Sequence, residues 1–396
     1  MKQSEFTRRA LLQSSGAAAA ALALGPLGAT SAFAADPLKI WTIGVAKVGD
    51  KPGTGGKDWS AMEAQAGTPI AYSAKSGSAD QAIQKLVVGD GSKLYDAITD
   101  NGGGMEDALA SQKAIVPIDT SKITNWDKLV DIYGPGQPGE DTIRYKGDTY
   151  AVPYISNADS LAYNHDEVGA ELTSWEALFD SQFRGRAAMQ NDFGPTLTNT
   201  AIYLKETGKQ DIANPSDMTQ KEVAGVAQFL IDLKKKGHFR TFWDGFQNGV
   251  DILASEEVLV SSCWEPVQLV AARKSAKDIR YGTMKEGHQT WNNIWMLTKG
   301  GRERGMDEAF YKLMNVYLSP WFGARTLLTF GFGPQMKGIE ELANQSDEFT
   351  AEQKEAIKQR LANKQARYAV KGNAWQNVFP KEIRAYQDWW AKVQAA

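Results

Sequence analysis

Leu38-Lys39-Ile40-Trp41-Thr42-Ile43 opens the stretch that decides the fold: an apolar run suited to a strand, followed by a Gly-rich loop. A helix-like segment from about Lys57 and a second strand over residues 68–73 come next. Helical periodicity returns over residues 79–88, where Ile83, Leu86 and Val87 share one face, and a third strand spans residues 94–99. That strand runs into Asn101-Gly102-Gly103-Gly104, which opens a helix at Met105-Glu106-Asp107. Short apolar strands alternating with helices build α/β layers around mainly parallel sheets.

Beyond a Gly- and Pro-rich loop over residues 134–139, Tyr150-Ala151-Val152-Pro153-Tyr154 leads into a second series that begins with Ser160-Leu161-Ala162-Tyr163-Asn164. Strands are expected at 187–190, 258–262 and 279–284, separated by helices from Leu197, Val223 and Val267. A return strand follows at 291–297, and helices at 308–318, 321–330, 351–364 and 380–393 complete the chain. Two α/β lobes result, with the chain crossing between them near 156–159 and again near 289–293. The expected division is residues 35–156 plus 292–396 for lobe 1, C-terminal helices included, and 157–291 for lobe 2. A ligand cleft would lie between them, at the carboxyl ends of strands.

The first 34 residues read as an export signal. Thr7-Arg8-Arg9-Ala10-Leu11-Leu12 is a twin-arginine pattern, an alanine-rich apolar stretch follows, and Ala32-Phe33-Ala34 is an A-x-A cleavage site. The apolar run is too short to span a bilayer, which takes about 20 strongly apolar residues. The implied compartment is the periplasm, with Sec export as the alternative route. Removing Lys2, Arg8, Arg9 and Glu5 shifts the formal charge from −3 to −5. With no long basic run, nucleic acid is not an expected partner. Lys234-Lys235-Lys236 closes a helix, where cations meet the helix dipole favourably. Cys263, the single cysteine, ends an apolar strand, so it is expected to be buried and cannot form an internal disulfide.

Signals for catalysis are sparse. His165, His238 and His288 are far apart and lack metal-ligand spacing. Gly53-Thr54-Gly55-Gly56-Lys57 evokes a phosphate loop, but Asp58 stands where Ser or Thr would hold magnesium, and Lys51 occupies the place of the first glycine. No catalytic residue, metal site or cofactor is expected.

Several segments, in order along nearly the whole mature chain, resemble the periplasmic solute-binding proteins that include the spermidine/putrescine receptors. Tyr95-Asp96 and Ala114-Ile115-Val116-Pro117-Ile118-Asp119 are similar to a strand of that family and its helix-to-loop exit. Tyr150 to Tyr154 with Tyr163-Asn164 resembles its first crossover. Ser174-Trp175-Glu176-Ala177-Leu178-Phe179 and Phe183-Arg184-Gly185-Arg186 are the most specific match. Leu318-Ser319-Pro320, Gly331-Phe332-Gly333-Pro334 and Trp375-Gln376-Asn377 resemble late boundaries and the closing loop. The resemblance implies the two-lobed type II periplasmic-binding fold and a monomer that captures a small molecule. It also implies ABC permease subunits in the inner membrane as partners. A secreted hydrolase or lyase on the same scaffold, or a ligand sensor without a permease, are the alternatives; neighbouring permease and ATPase genes would separate receptor from sensor.

Carried over by position, the resemblance implies a ligand cleft containing Thr42, Asn101, Asp192, Trp264, Trp291, Asn293, Phe332 and Gln376, with Glu265 beside Trp264 a further candidate. Indole faces attract ammonium groups, and Asp192 could pair with one amine. The chain also departs from the polyamine receptors, which place an aromatic where Ile43 stands and acids near Asn293 and Pro195. Burying an unpaired ammonium costs several kcal/mol. The expected ligand is therefore a small cationic or zwitterionic nitrogen compound, polyamine-like, quaternary ammonium, guanidino or opine-like, and a classical diamine or triamine fits poorly. Lys47 or the loop at 53–56 would receive a ligand carboxylate.

Overall fold

The computed structural model describes residues 36–75 and 79–396. The export-signal reading falls on residues 1–34, outside the described residues. The strands in chain order are β1 (Leu38–Thr42), β2 (Ile70–Ala74), β3 (Ala97–Asn101), the hairpin β4 (Arg144–Tyr145) and β5 (Asp148–Thr149), and β6 (Val152–Ala158). They continue with β7 (Ser160–Asn164), β8 (Ala187–Gln190), β9 (Phe239–Trp243), β10 (Val260–Cys263), β11 (Ile279–Tyr281), β12 (Gln289–Leu297) and β13 (Ala374–Trp375).

Two mixed sheets organise the body from Pro37 to Ala396. One has the order β13-β12-β3-β1-β2, with β6 paired to β12; the other runs β11-β7-β10-β8-β9. In the first sheet β1 pairs in parallel with β2 and β3, while β12 runs antiparallel to β3 and β6. In the second, β8 lies parallel to β9 and β10, and β7 is antiparallel to β10 and β11. The sheets are thus more mixed than strand–helix alternation suggests, because β6, β7 and β12 carry the chain between sheets and enter against the prevailing direction.

Side-chain alternation builds the second lobe on both faces of its sheet. Leu161, Tyr163, Ala187 and Met189 face one core; Ala162, Ala188 and Cys263 face the other. Cys263 is buried, as its place at a strand end predicts. Against the first of these cores lies helix Gln220–Lys235, burying Val223, Val226, Ala227, Leu230 and Ile231 on one stripe. A capping box closes its start, Thr219 accepting from the Glu222 backbone N–H and Glu222 from that of Thr219.

The final helix departs from expectation. The sequence places Ile383–Ala395 with the first lobe, yet Tyr386, Trp390 and Val393 complete the apolar core of the second. Tyr386 Oη accepts from Met218 N at 2.8 Å, and Lys234 Nζ donates to the carbonyls of Val393 and Gln394 at 2.9 and 2.7 Å. The lysine cluster therefore ties two helices together besides meeting a dipole. The chain consequently passes between sheets at Asp159, between β11 and β12, and again after β13. Strand β9, unforeseen in the sequence, is the sheet edge; of its residues only Trp243 is fully buried, which leaves no alternation to read. Among the described residues, no helix is long and apolar enough to cross a membrane.

Candidate functional site

The carboxyl ends of β1, β3, β8 and β10 face one another across a cleft, and the residues just beyond them form its walls. A chamber of about 420 Å³ lies there, within the range usual for small-molecule sites. Period-two alternation puts Gln289, Trp291 and Asn293 of β12 on one wall. Trp264 follows β10 as the N-cap of helix Glu265–Ser275, whose Pro266 fixes the first turn, and its ring meets Trp243 edge-on at 5.3 Å.

Phe330 and Phe332 flank Gly331, which ends helix Pro320–Phe330 in the left-handed conformation (φ +78°). A Cβ at Gly331 would lie 2.7 Å from Glu265 Cγ, so glycine is required both by the turn and by the approach of the second lobe. The two phenyl rings stack at 5.5 Å, and Trp291 stands edge-on to Phe332 at 5.8 Å. Phe246, unusually exposed for its size, stands at the rim.

Of the residues expected in the site, Asn101, Asp192, Trp264, Trp291, Asn293, Phe332 and Gln376 come together around this chamber. Asn293 Nδ2 donates to Asn101 Oδ1 at 2.5 Å, joining β12 to β3. Two expected residues do not reach it. Thr42 is fully buried, its hydroxyl 2.6 Å from that of Thr99. Glu265 turns away into a buried ion pair with Arg367 Nη2 at 2.6 Å and accepts from Asn157 Nδ2 at 3.2 Å. Neither Lys47, which donates to Lys57 O, nor the loop at 53–56 lines the cleft.

An adjoining chamber of about 390 Å³ shares Ile43, Asn101, Asp192 and Asn293 and adds Lys75, which pairs with Asp100 at 2.6 Å. Lys75 is thus the cation beside the cleft, where Lys47 was expected.

Asp159 was missed. It lies between β6 and β7, 5 % exposed, and its Oδ1 accepts from Trp291 Nε1 at 2.7 Å. Burial pushes its carboxyl up to about 7, although the Trp291 hydrogen bond and the charge of Arg367 pull the other way. The signal was present: an acid standing in the otherwise uncharged crossover from Val152 to Asn164. Gln190, Gln289 and Phe330 also line the chamber unforeseen. Asp192 caps helix Phe193–Glu206, Oδ1 accepting from Gly194 N at 2.9 Å. It is open to solvent within the cleft but enclosed by both walls, and that enclosure raises its carboxyl above the ordinary range.

The histidines serve the fold. His288 is buried, Nδ1 2.9 Å from Asp159 O with Nε2 accepting from Met284 N, and burial lowers it to about 3, so it stays neutral. His238 Nε2 is 2.9 Å from Leu178 O, and His165 lies 3.5 Å from Asp278 near the surface.

Comparison with known proteins agrees with this architecture. The profile of the bacterial extracellular solute-binding proteins matches residues 18–359. A putrescine/agmatine-binding protein of Pseudomonas aeruginosa is 25 % identical over 267 residues, 64 % of this chain and 68 % of that protein. A spermidine/putrescine ABC transporter substrate-binding protein from Streptococcus pneumoniae superposes with a TM-score of 0.66 at 15 % identity, over 91 % of this chain and 99 % of that one. The binding protein MotA from A. tumefaciens B6, in complex with glucopine, gives 0.61 at 14 % identity, over 91 % and 100 %. The chain belongs to the bacterial extracellular solute-binding proteins and has the two-lobed fold of ABC transporter substrate-binding components.

Proposed function

We propose that this protein captures a small cationic or zwitterionic nitrogen compound outside the cytoplasmic membrane and delivers it to the permease of an ABC importer. One observation carries the reading. The larger chamber is walled by Trp264, Trp291, Phe330 and Phe332, bears the carboxyls of Asp159 and Asp192, and has no Lys or Arg among its described lining residues. Aromatic faces attract a cation by roughly 0.5–2 kcal/mol each, depending on desolvation. The carboxyls supply the charge without which a buried ammonium is costly. Lys75 in the adjoining chamber gives a zwitterion's carboxylate a place to go.

The acids that the polyamine receptors carry near Asn293 and Pro195 remain absent, but Asp159 offsets part of that deficit. Relatives named for putrescine and agmatine, and one holding glucopine, support a nitrogen compound as the class. Export by the twin-arginine route rests on Arg8-Arg9 alone; replacing both with lysine should strand precursor in the cytoplasm.

A thermal-shift screen of amines, guanidino compounds, quaternary ammonium compounds, amino acids and sugars tests the function. A ligand at a hundredfold excess over Kd adds about 2.7 kcal/mol of stability, so a true ligand is plain. A cationic or zwitterionic nitrogen compound should raise the Tm; a response confined to uncharged sugars contradicts the reading.

A further inference from the structure

We propose that Asp159 is the seat of the ligand's charged nitrogen and that it selects cations carrying an N–H over fully substituted ammonium compounds. This rests on the reading of the cleft as a cation site and names the group within it that sets specificity.

Asp159 is the single residue between β6 of one sheet and β7 of the other. Its backbone N donates to Gln289 O at 2.9 Å, and its carbonyl lies 2.9 Å from His288 Nδ1. Two crossings between the sheets are therefore fastened together at this residue. A residue so placed moves least when lobes rotate about the crossings. Its carboxyl is thus a fixed floor, whereas Trp264 is carried by the second lobe and Asn101 by the first.

The carboxyl is held but not satisfied. Trp291 Nε1 occupies Oδ1 and fixes the plane of the group, and among the described residues no donor bonds the second oxygen. The groups around it do not supply a cation. Arg367, the cation among the described residues whose charge acts on Asp159 most strongly, already bonds Glu265 and Asn157 and lies over the Tyr281 ring at 4.9 Å. Asp192 and Glu265 both act on Asp159 with like charge, the Cys263 thiol and Tyr281 phenol are buried nearby, and His288 is neutral. The unfilled position is an acceptor oxygen that needs a positively charged donor. An ammonium or guanidinium N–H can enter it; a quaternary nitrogen has no hydrogen to give and leaves the oxygen desolvated and unpaired.

Proton balance follows. In the empty cleft near neutral pH the carboxyl is protonated in part. Pairing with R–NH3+ requires the carboxylate, so the acid proton leaves to solvent as the N–H···O bond forms, and the ligand keeps its own protons. Binding then releases up to one proton per site.

The test compares agmatine, putrescine and choline on the wild type and on Asp159→Asn, which keeps an acceptor for Trp291 Nε1. Truncating one side of a buried charge pair costs about 2–5 kcal/mol, at least about 30-fold in affinity. The expected result is preference of the wild type for an N–H cation over choline, loss of about 30-fold or more for that cation in Asp159→Asn, and a loss at least tenfold smaller for choline. Calorimetry of the wild type in two buffers of different ionisation enthalpy should register proton release at pH 7, a readout that stands even if the variant does not fold.

A folded Asp159→Asn that binds the N–H cation like the wild type overturns the proposal while leaving the cation site intact. So does collapse of the preference in Asp192→Asn alone, or cation binding with no proton release. Where agmatine and putrescine do not bind, the N–H cation returned by the thermal-shift screen takes their place; a wild type that binds no cationic or zwitterionic nitrogen compound at all overturns the cation reading itself, and this proposal with it.

Discussion

Glu265 and Asp159 are both buried where the two lobes meet, at 4 % and 5 % exposure, but the fold provides for them differently. Glu265 has its cation built in: Arg367 reaches across from helix Ala351–Tyr368, and Asn157 completes the arrangement. Asp159 has one indole N–H and, among the described residues, no cation bonded to it. A carboxylate whose counter-charge lies in the same chain belongs to the fold, whereas one whose counter-charge is missing is suited to receive it from outside. The first joins the lobes and the second faces the cleft, although their residues lie within reach of each other's charge.

The sharpest way to break this comparison is to remove the built-in cation. Arg367→Met leaves Glu265 buried and unpaired, and should cost about 3–5 kcal/mol in urea unfolding. A loss below about 1 kcal/mol would show that the pair is not structural. Asp159→Asn, by contrast, should leave the empty protein at least as stable as the wild type.

Next in size is the aromatic wall. Trp264→Ala should weaken binding of the cation found in the screen by about 1–3 kcal/mol, lost burial adding to lost cation–π attraction, while unfolding stays cooperative. Unchanged affinity by calorimetry would take Trp264 out of the site.

Asp159 also carries a pH dependence of its own. Asp159 is held above its unfolded value of about 3.9, so its protonated form favours the fold. That contribution is full below about pH 4 and is lost as pH rises towards 7, at up to about 1.4 kcal/mol per unit. The stability of the wild type relative to Asp159→Asn should therefore fall across this window in the empty protein. A flat difference would mean that Asp159 titrates like an ordinary carboxylate.

The smallest effect belongs to Lys364, buried beside the same pair and lowered to about 7 by that burial. Glu265 already has Arg367, and Gly333 O, which Lys364 Nζ bonds at 2.5 Å, also accepts from Ser156 N. Lys364→Met should change stability by about 1 kcal/mol or less, since a surplus buried charge contributes little. A cost matching that of Arg367→Met would make the cluster a triad.

Much of this was legible in the residues, and what was not has physical reasons. Strands and helices with strong apolar periodicity, such as β1, β3 and Gln220–Lys235, stand where the sequence puts them within a few residues. The edge strand β9 was not readable because Phe239 and Phe242 are only partly covered and Trp243 alone is buried, which leaves no alternation. The docking of helix Ile383–Ala395 on the second lobe was hidden because an amphipathic stripe specifies that a helix packs, not against which core. In the site, Trp264, Asn101 and Asp192 came from the family resemblance, and the structure places each at or just beyond the end of a strand. Glu265 was misplaced because its partner lies 102 residues away, and no local pattern announces such a pair. Asp159 could have been found: a lone acid in an otherwise uncharged crossover has few reasons to be there other than structure at the hinge or a ligand.

The most direct test is the titration of Asp159 itself, followed through carboxyl-carbon NMR of protein labelled at aspartate, with the signal assigned by its disappearance in Asp159→Asn. The account predicts that in the empty cleft this carboxyl titrates near 7, and that saturating agmatine, or the cation found in the screen, moves it below about 5 as the missing counter-charge arrives. An Asp159 that already titrates near 4 in the empty protein, unmoved by any cation that binds, would contradict it.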